Sequence, residues 1–211
     1  LAWRAMELVF VRHGRPVHIE DAEGAADPPL ADVGHEQAQR VADWLMTASI
    51  DALYSSPMNR ALQTAAPFAD ASGLAMNIRD YLREFDHEGS SYVPTEVLKA
   101  NDPEAYRERI SGGFVDKDFD VVGFQANVVG EVDRIVADHR GQRVAVVCHG
   151  GVINAYLGRC LEFAPDDYMK FDVDYSSISR VMVSSKLQRS IASVNERPHF
   201  VGRPHLAVRG N

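Results

Sequence analysis

Cysteine is scarce in this chain of 211 residues: Cys148 and Cys160 are the whole complement. Two cysteines cannot form the multi-bridge framework of a small secreted scaffold, so a reducing cytoplasm is the expected setting. Long apolar runs are missing as well. The longest, residues 8–11 and 144–148, have the length of buried strands and fall well short of the roughly 18 residues that span a bilayer, so no membrane association is expected. Arg4 precedes an apolar run, but Glu7 interrupts it and Arg12-His13 stands where a small-residue cleavage site would lie. A signal peptide is therefore not expected, and Met6 reads as a candidate start. Positive charge is in deficit, with 22 Lys+Arg against 30 Asp+Glu and a formal net charge of -8. That balance opposes a broad nucleic-acid contact surface, and an anionic substrate must be met by a local cationic pocket. Long repeats are absent. The one echo is Arg197-Pro198-His199 and Arg203-Pro204-His205, in a tail without apolar periodicity that is expected to be loosely held over residues 196–211.

What is present is ordinary globular material, 45% hydrophobic and 25% charged, which at this length argues for a single domain over residues 1–211 with an inserted subdomain. Residues 8–11 form an apolar run ending at Arg12-His13-Gly14, and a strand apolar on both faces suggests the middle of a parallel sheet. After a Pro/Ala/Gly-rich loop, Val33, Ala38, Val41, Ala42 and Leu45 recur at helical spacing. Residues 51–55 read as a strand, Ser56-Pro57 as a stop, and residues 59–72 as a helix that Pro67 should kink and Gly73 should end. Pro94, Pro103 and a charge-dense run then break the pattern, so residues 89–120 are read as an inserted cap of short helices and loops. Val128, Val132, Ile135 and Val136 restore helical periodicity. Residues 143–148 form a second apolar strand running into His149-Gly150-Gly151, residues 152–161 a helix, and residues 177–184 and 190–195 a closing pair of strands. Alternating strands and helices predict a three-layer αβα sandwich with a mainly parallel central sheet.

Three strand ends deliver groups suited to a phosphoryl oxyanion: Arg12-His13, Arg60 just inside the following helix, and His149. Ligands of open α/β sheets bind beyond the carboxyl ends of the strands, so these groups are expected to converge. Guanidinium forks match a phosphate's peripheral oxygens, and helix starts at Arg60 and Gly150-Gly151 add backbone N–H donors. Taken alone, Arg12-His13-Gly14 is a weak motif, and a strand-end histidine satisfied by a carbonyl is its simpler reading. The ordered set is much more specific: Arg12-His13-Gly14, Pro29-Leu30 with Gly34-His35-Glu36-Gln37-Ala38, Ser55-Ser56-Pro57-Met58-Asn59-Arg60-Ala61-Leu62-Gln63-Thr64-Ala65, Leu82-Arg83-Glu84 and His149-Gly150-Gly151-Val152. Over residues 7–184, including Ser176-Ser177-Ile178-Ser179 at a late strand, this set resembles the histidine phosphatase, or phosphoglycerate mutase-like, superfamily.

The resemblance implies that His13 is the nucleophile that becomes phosphorylated, that Arg12, Arg60, His149 and Gly150 hold the phosphoryl group, and that Glu84 is the proton donor, His149 also counting as catalytic. It implies hydrolysis of phosphomonoesters with no metal and no cofactor. The runner-up readings are a cofactor-dependent phosphoglycerate mutase, disfavoured by Arg15-Pro16 after the first motif, and a silent phospho-ligand binder, disfavoured by the intact nucleophile and acid. The partners expected are a small phosphorylated metabolite and, at most, a second copy of the chain in a homodimer.

Departures from the family pattern sharpen the expectations. Ile19 stands in place of an asparagine, removing one phosphate contact that Arg15 or His18 is expected to replace, with Tyr92 in the substrate pocket. The acid segment Glu84-Phe85-Asp86-His87-Glu88-Gly89 lacks the usual tryptophan, leaving Asp86 and Glu88 as rivals to Glu84. Ala31 replaces a threonine cap, so Asp32 is expected to cap the next helix. Cys148 ends an apolar run and reads as a small hydrophobe. A zinc site from His13, His87 and His149 lacks ligand spacing and would face two arginines.

Overall fold

Leu8, Val9, Phe10 and Val11 are fully buried at the centre of β1 (Met6–Arg12), and their alternation sends Leu8 and Phe10 to one face and Val9 and Val11 to the other. Each face therefore needs its own helical layer. The computed structural model describes residues 5–112 and 119–208. In it, Val41, Ala42 and Leu45 of α1 (Asp32–Thr47) and Ala61, Ala65 and Phe68 of α2 (Asn59–Ser72) cover Val9 and Val11. On the other face, Val128, Val132, Ile135 and Val136, later in the chain, join Val152, Ile153 and Tyr156 over Leu8 and Phe10. The result is the expected three-layer sandwich.

The remaining strands are β2 (Ala52–Ser55), β3 (Met76–Ile78), β4 (Arg143–Cys148), β5 (Ile178–Val183) and β6 (Arg189–Glu196). They form a six-stranded sheet in the order β3-β2-β4-β1-β5-β6. β3, β2, β4 and β1 pair in parallel, while β5 runs antiparallel to both β1 and β6. β1 is thus central but borders the one reversed strand. Its two apolar faces report burial between two helical layers, which does not depend on the direction of a neighbour.

Between β3 and β4 lie α3 (Thr95–Asn101), α4 (Pro103–Gly112) and α5 (Val121–Asp138), the last of which supplies the valines and isoleucine above; α6 (Gly150–Cys160) follows β4. The short α3 and α4 fall in the segment read as a cap, residues 89–120, of which residues 113–118 lie outside the described residues. The α2 helix runs through Pro67 and ends at Gly73, whose φ of 71° is left-handed and suits a residue without Cβ.

Two expectations are corrected. Asp32 is the first helical residue of α1 rather than its cap: Ala31 holds the cap position, with no side-chain hydrogen bond. The tail is not loosely held over its described part. Phe200 and Leu206 are buried, and Gln37 of α1 donates from Nε2 to the Leu206 carbonyl at 2.8 Å. Two isolated apolar side chains on single helical turns anchor it, a spacing too sparse to register as periodicity.

Candidate active site

β2, β4 and β1 are adjacent and parallel, so their carboxyl ends open on the same edge of the sheet. That edge carries Arg12 and His13 after β1, the start of α2 with Arg60 after β2, and His149 leading into α6 after β4. The His13 backbone is pinned on both sides, its N–H donating to the Cys148 carbonyl at 2.9 Å and its carbonyl accepting from Ser176 at 3.1 Å. The following N–H, of Gly14, donates to Thr64 Oγ1 in α2 at 2.9 Å.

The His13 ring is 2% exposed and its Nδ1 lies 2.8 Å from the Gly14 carbonyl oxygen. A carbonyl only accepts, so Nδ1 carries the proton. Burial, then Arg60 and Arg12, hold the His13 pKa well below the ordinary imidazole value, so the ring is neutral and Nε2 keeps its lone pair. This is the protonation state a nitrogen nucleophile requires.

Two guanidinium groups flank that ring. Arg12 donates from Nη1 to the Val173 carbonyl and lies over the Tyr175 ring, its guanidinium carbon 4.3 Å from the centroid. Arg60, 0% exposed, lies 4.7 Å over the Tyr92 ring. Each tyrosine presents a π face to a cation. Within the described residues Arg12 Nε and Arg60 Nε and Nη1 have no hydrogen-bond partner. Buried guanidinium N–H groups are normally satisfied, so this deficit suits an oxyanion ligand. Arg60 Nη2 donates to Asp86 Oδ1 at 3.2 Å, and Asp27 Oδ1 stands 3.9 Å from Nη1.

Glu84 is buried and its carboxylate accepts from the Gly151 N–H at 2.9 Å and the Phe85 N–H at 3.2 Å. Burial, reinforced by the Asp86 charge and opposed by the Gly151 bond and Arg60, raises its pKa to about 7. At neutral pH it is poised to give or take a proton. A Cβ at Gly151 would stand 2.2 Å from Glu84 Oε1, so only glycine allows this approach. The rivals separate: Asp86 pairs with Arg60, and Glu88 is exposed.

Arg12, His13, Arg60, Glu84, Asp86, Tyr92 and Gly150 line one cavity of about 430 Å³. His149 is not among its lining residues. It is fully buried, its ring centroid 5.1 Å from that of His13 and its Nε2 2.8 Å from Ser56 Oγ, and burial followed by Arg60 lowers its pKa well below the ordinary value. Neither Arg15 nor His18, the expected replacements for the missing asparagine, lines the cavity. Arg15 is drawn to Glu96 at 2.8 Å and His18 to Glu20 at 2.9 Å, each held by an acid elsewhere. Ile19 instead exchanges backbone hydrogen bonds with Tyr92, at 3.1 and 2.7 Å, and so places the ring beneath Arg60. Cys148 is wholly buried, and burial drives its thiol pKa far up. Among the described residues no group of three or more His, Cys, Asp or Glu is placed to hold a metal ion, and no helix is long and apolar enough to cross a membrane.

The family model of the histidine phosphatase superfamily, branch 1, matches residues 8–196. The chain belongs to the histidine phosphatase superfamily. A phosphoglycerate mutase-like protein 4 of Arabidopsis thaliana is 34% identical over 165 residues, 72% of this chain and 70% of its own length. Phosphoserine phosphatase 1 of Hydrogenobacter thermophilus is 26% identical over 217 residues, 96% of this chain and all (100%) of its own. A solved mycobacterial glucosyl-3-phosphoglycerate phosphatase shares the fold with a TM-score of 0.73 at 21% identity, over 92% of this chain and 100% of that one.

The histidine phosphatase motifs pointed to Arg12, His13, Arg60, Glu84 and His149, and four further residues of this region escaped sequence reasoning. Tyr175 under Arg12, Asp27 beside Arg60, and Glu96 between Arg15 and Tyr175 come from loops and the cap, and Asn154 from inside α6. The only signal for Tyr175 was its place just before Ser176-Ser177, which says nothing about its ring.

Proposed function

We propose that this histidine phosphatase superfamily member hydrolyses small phosphomonoesters through a phosphohistidine on His13. The observation that carries the reading is the Nδ1 contact of His13 with the Gly14 carbonyl, which leaves Nε2 unprotonated between two guanidinium groups. His13 Nε2 attacks phosphorus, the P–O bond to the alcohol breaks, and Glu84 gives its proton to the departing oxygen. Water then attacks the phosphohistidine and returns a proton to the Glu84 carboxylate. The P–N bond breaks, releasing phosphate and neutral His13. Arg12 and Arg60 meet the phosphoryl charge, the role a metal plays in other phosphoryl-transfer sites. His149 supports the site by packing against the His13 ring, and Gly150 adds the start of α6 to the cavity wall. The two free cysteines support work in a reducing compartment such as the cytoplasm.

Quenching without acid during turnover should trap an acid-labile phosphoryl group on the His13 peptide, and His13→Ala should abolish both adduct and turnover. An adduct elsewhere, or loss of activity in EDTA with rescue by zinc or magnesium, overturns this chemistry. Phosphate transfer between glycerate hydroxyls far exceeding phosphate release assigns the site to a mutase.

A further inference from the structure

Past the two arginines the cavity changes character. Its wall there is Phe85, Val93, Met169, Phe171 and Val173. The charged groups that remain among the described lining residues, apart from Glu84, are Asp86, Asp172 and Lys170, and Lys170 is already paired with Asp167. Among the described lining residues the charge left in this half is thus Lys170, drawn to Asp167, and the carboxylate of Asp172.

This wall is preformed and keyed to the phosphate end. Asn154 of α6 accepts from the Lys170 and Phe171 N–H groups at 3.0 and 2.9 Å and donates to the Phe171 carbonyl at 3.0 Å. Two residues on, the Val173 carbonyl holds Arg12. On the opposite side Phe85 follows Glu84 directly in the chain. Its ring lies 6.0 and 6.3 Å from the rings of Phe119 and Phe124, and its Cδ1 leaves only 2.8 Å for a Cβ at Gly151. A leaving oxygen that reaches Glu84 thus brings its substituent beside Phe85, in the cavity that Phe171 also lines.

We propose that the substrate class of this site is the phosphate monoester of an uncharged, apolar alcohol about the size of a single aromatic ring, selected by Phe85 and Phe171. The inference rests on the proposed hydrolysis but concerns the leaving-group half of the cavity. Desolvating apolar surface against the wall favours such an alcohol, whereas a carboxylate there loses water and, among the described lining residues beyond the arginines, meets only Lys170, which Asp167 already engages.

The test compares phenethyl phosphate with its para-carboxylate, esters of equally reactive primary alcohols that differ only in a remote charge. The expected kcat/KM ratio is about ten-fold or more in favour of the uncharged ester. Phe171→Asn, checked for native circular dichroism and melting, should lower that ratio several-fold. A ratio near unity or reversed, or one that Phe171→Asn leaves intact, overturns the proposal while leaving hydrolysis standing. Binding of phenethylphosphonate and its para-carboxylate, read by calorimetry, reports the same preference without turnover. If the uncharged phosphonate binds tighter while no ester is hydrolysed, the substrate half stands and the hydrolase reading falls.

Discussion

Asp86 Oδ1 lies 3.2 Å from Arg60 Nη2, so a carboxylate of the chain already occupies a guanidinium that a substrate phosphate needs. The same charge reinforces the proton affinity of Glu84, two residues earlier. One side chain therefore touches both the anion-binding and the proton-transfer halves of the site.

Asp86→Asn should consequently do two things at once. Removing the competing charge should tighten competitive inhibition by inorganic phosphate about three- to ten-fold. With less negative charge nearby, Glu84 should lose its proton at lower pH, shifting the alkaline limb of the alkyl-phosphate rate profile downward. Unchanged phosphate inhibition would show that the Asp86 and Arg60 pair does not compete with ligand.

Glu84→Gln should slow alkyl phosphates by about a hundred-fold or more, the ordinary worth of a positioned general acid, and slow nitrophenyl phosphate far less. Its pKa of about 7 places the alkaline limb near neutrality, and the substitution should erase that limb. If Asp86→Asn or exposed Glu88→Gln gives this leaving-group dependence instead, the acid is misassigned.

Glu84 also links stability to pH. Its folded pKa of about 7 exceeds the ordinary glutamate value of 4.5, so the folded protein binds the proton more tightly. Its contribution is complete below about pH 4.5 and is lost as pH rises to about 7. Relative to wild type, Glu84→Gln should then be more stable at pH 8 than at pH 5 by on the order of 3 kcal/mol in urea unfolding. A difference independent of pH would mean that Glu84 is ionised at neutral pH in the folded protein.

Tyr175→Leu removes the π face beneath Arg12, and Tyr175→Phe removes only the hydroxyl that meets Glu96 Oε2 at 3.4 Å. The leucine variant should raise KM for alkyl phosphates about three- to ten-fold, while the phenylalanine variant stays near wild type. Equal KM effects in the two variants would place the importance in the hydroxyl.

Leu206 is fully buried in the tail, its carbonyl accepting from Gln37 of α1, and it does not line the cavity. Leu206→Ala should cost about 2 kcal/mol of unfolding free energy and leave saturating kcat unchanged. No loss of stability would show that the tail detaches in solution.

Much of the site was legible because its chemistry sits at punctuation points. Strand ends after residues 8–11 and 144–148, and the Ser56-Pro57 stop before Arg60, are visible as changes in apolar pattern, and they coincide with the groups proposed to meet a phosphoryl oxygen. The choice among Glu84, Asp86 and Glu88 was a matter of backbone register. The structure separates their environments: Gly151 offers its N–H to Glu84, and Arg60 claims Asp86.

The sequence by itself determined the three-layer architecture and the family, and it singled out the proposed nucleophile and its arginines, because these depend on local periodicity and on ordered motifs. Tertiary structure alone decided which neighbours tune them. Arg15 and His18 looked suited to phosphate, yet acids at Glu96 and Glu20 hold them elsewhere. Tyr175 and Asp27 looked like loop residues, yet chain crossings place them on Arg12 and Arg60. Long-range electrostatic pairing and burial depend on which segments meet in space, and no spacing along the chain encodes that directly.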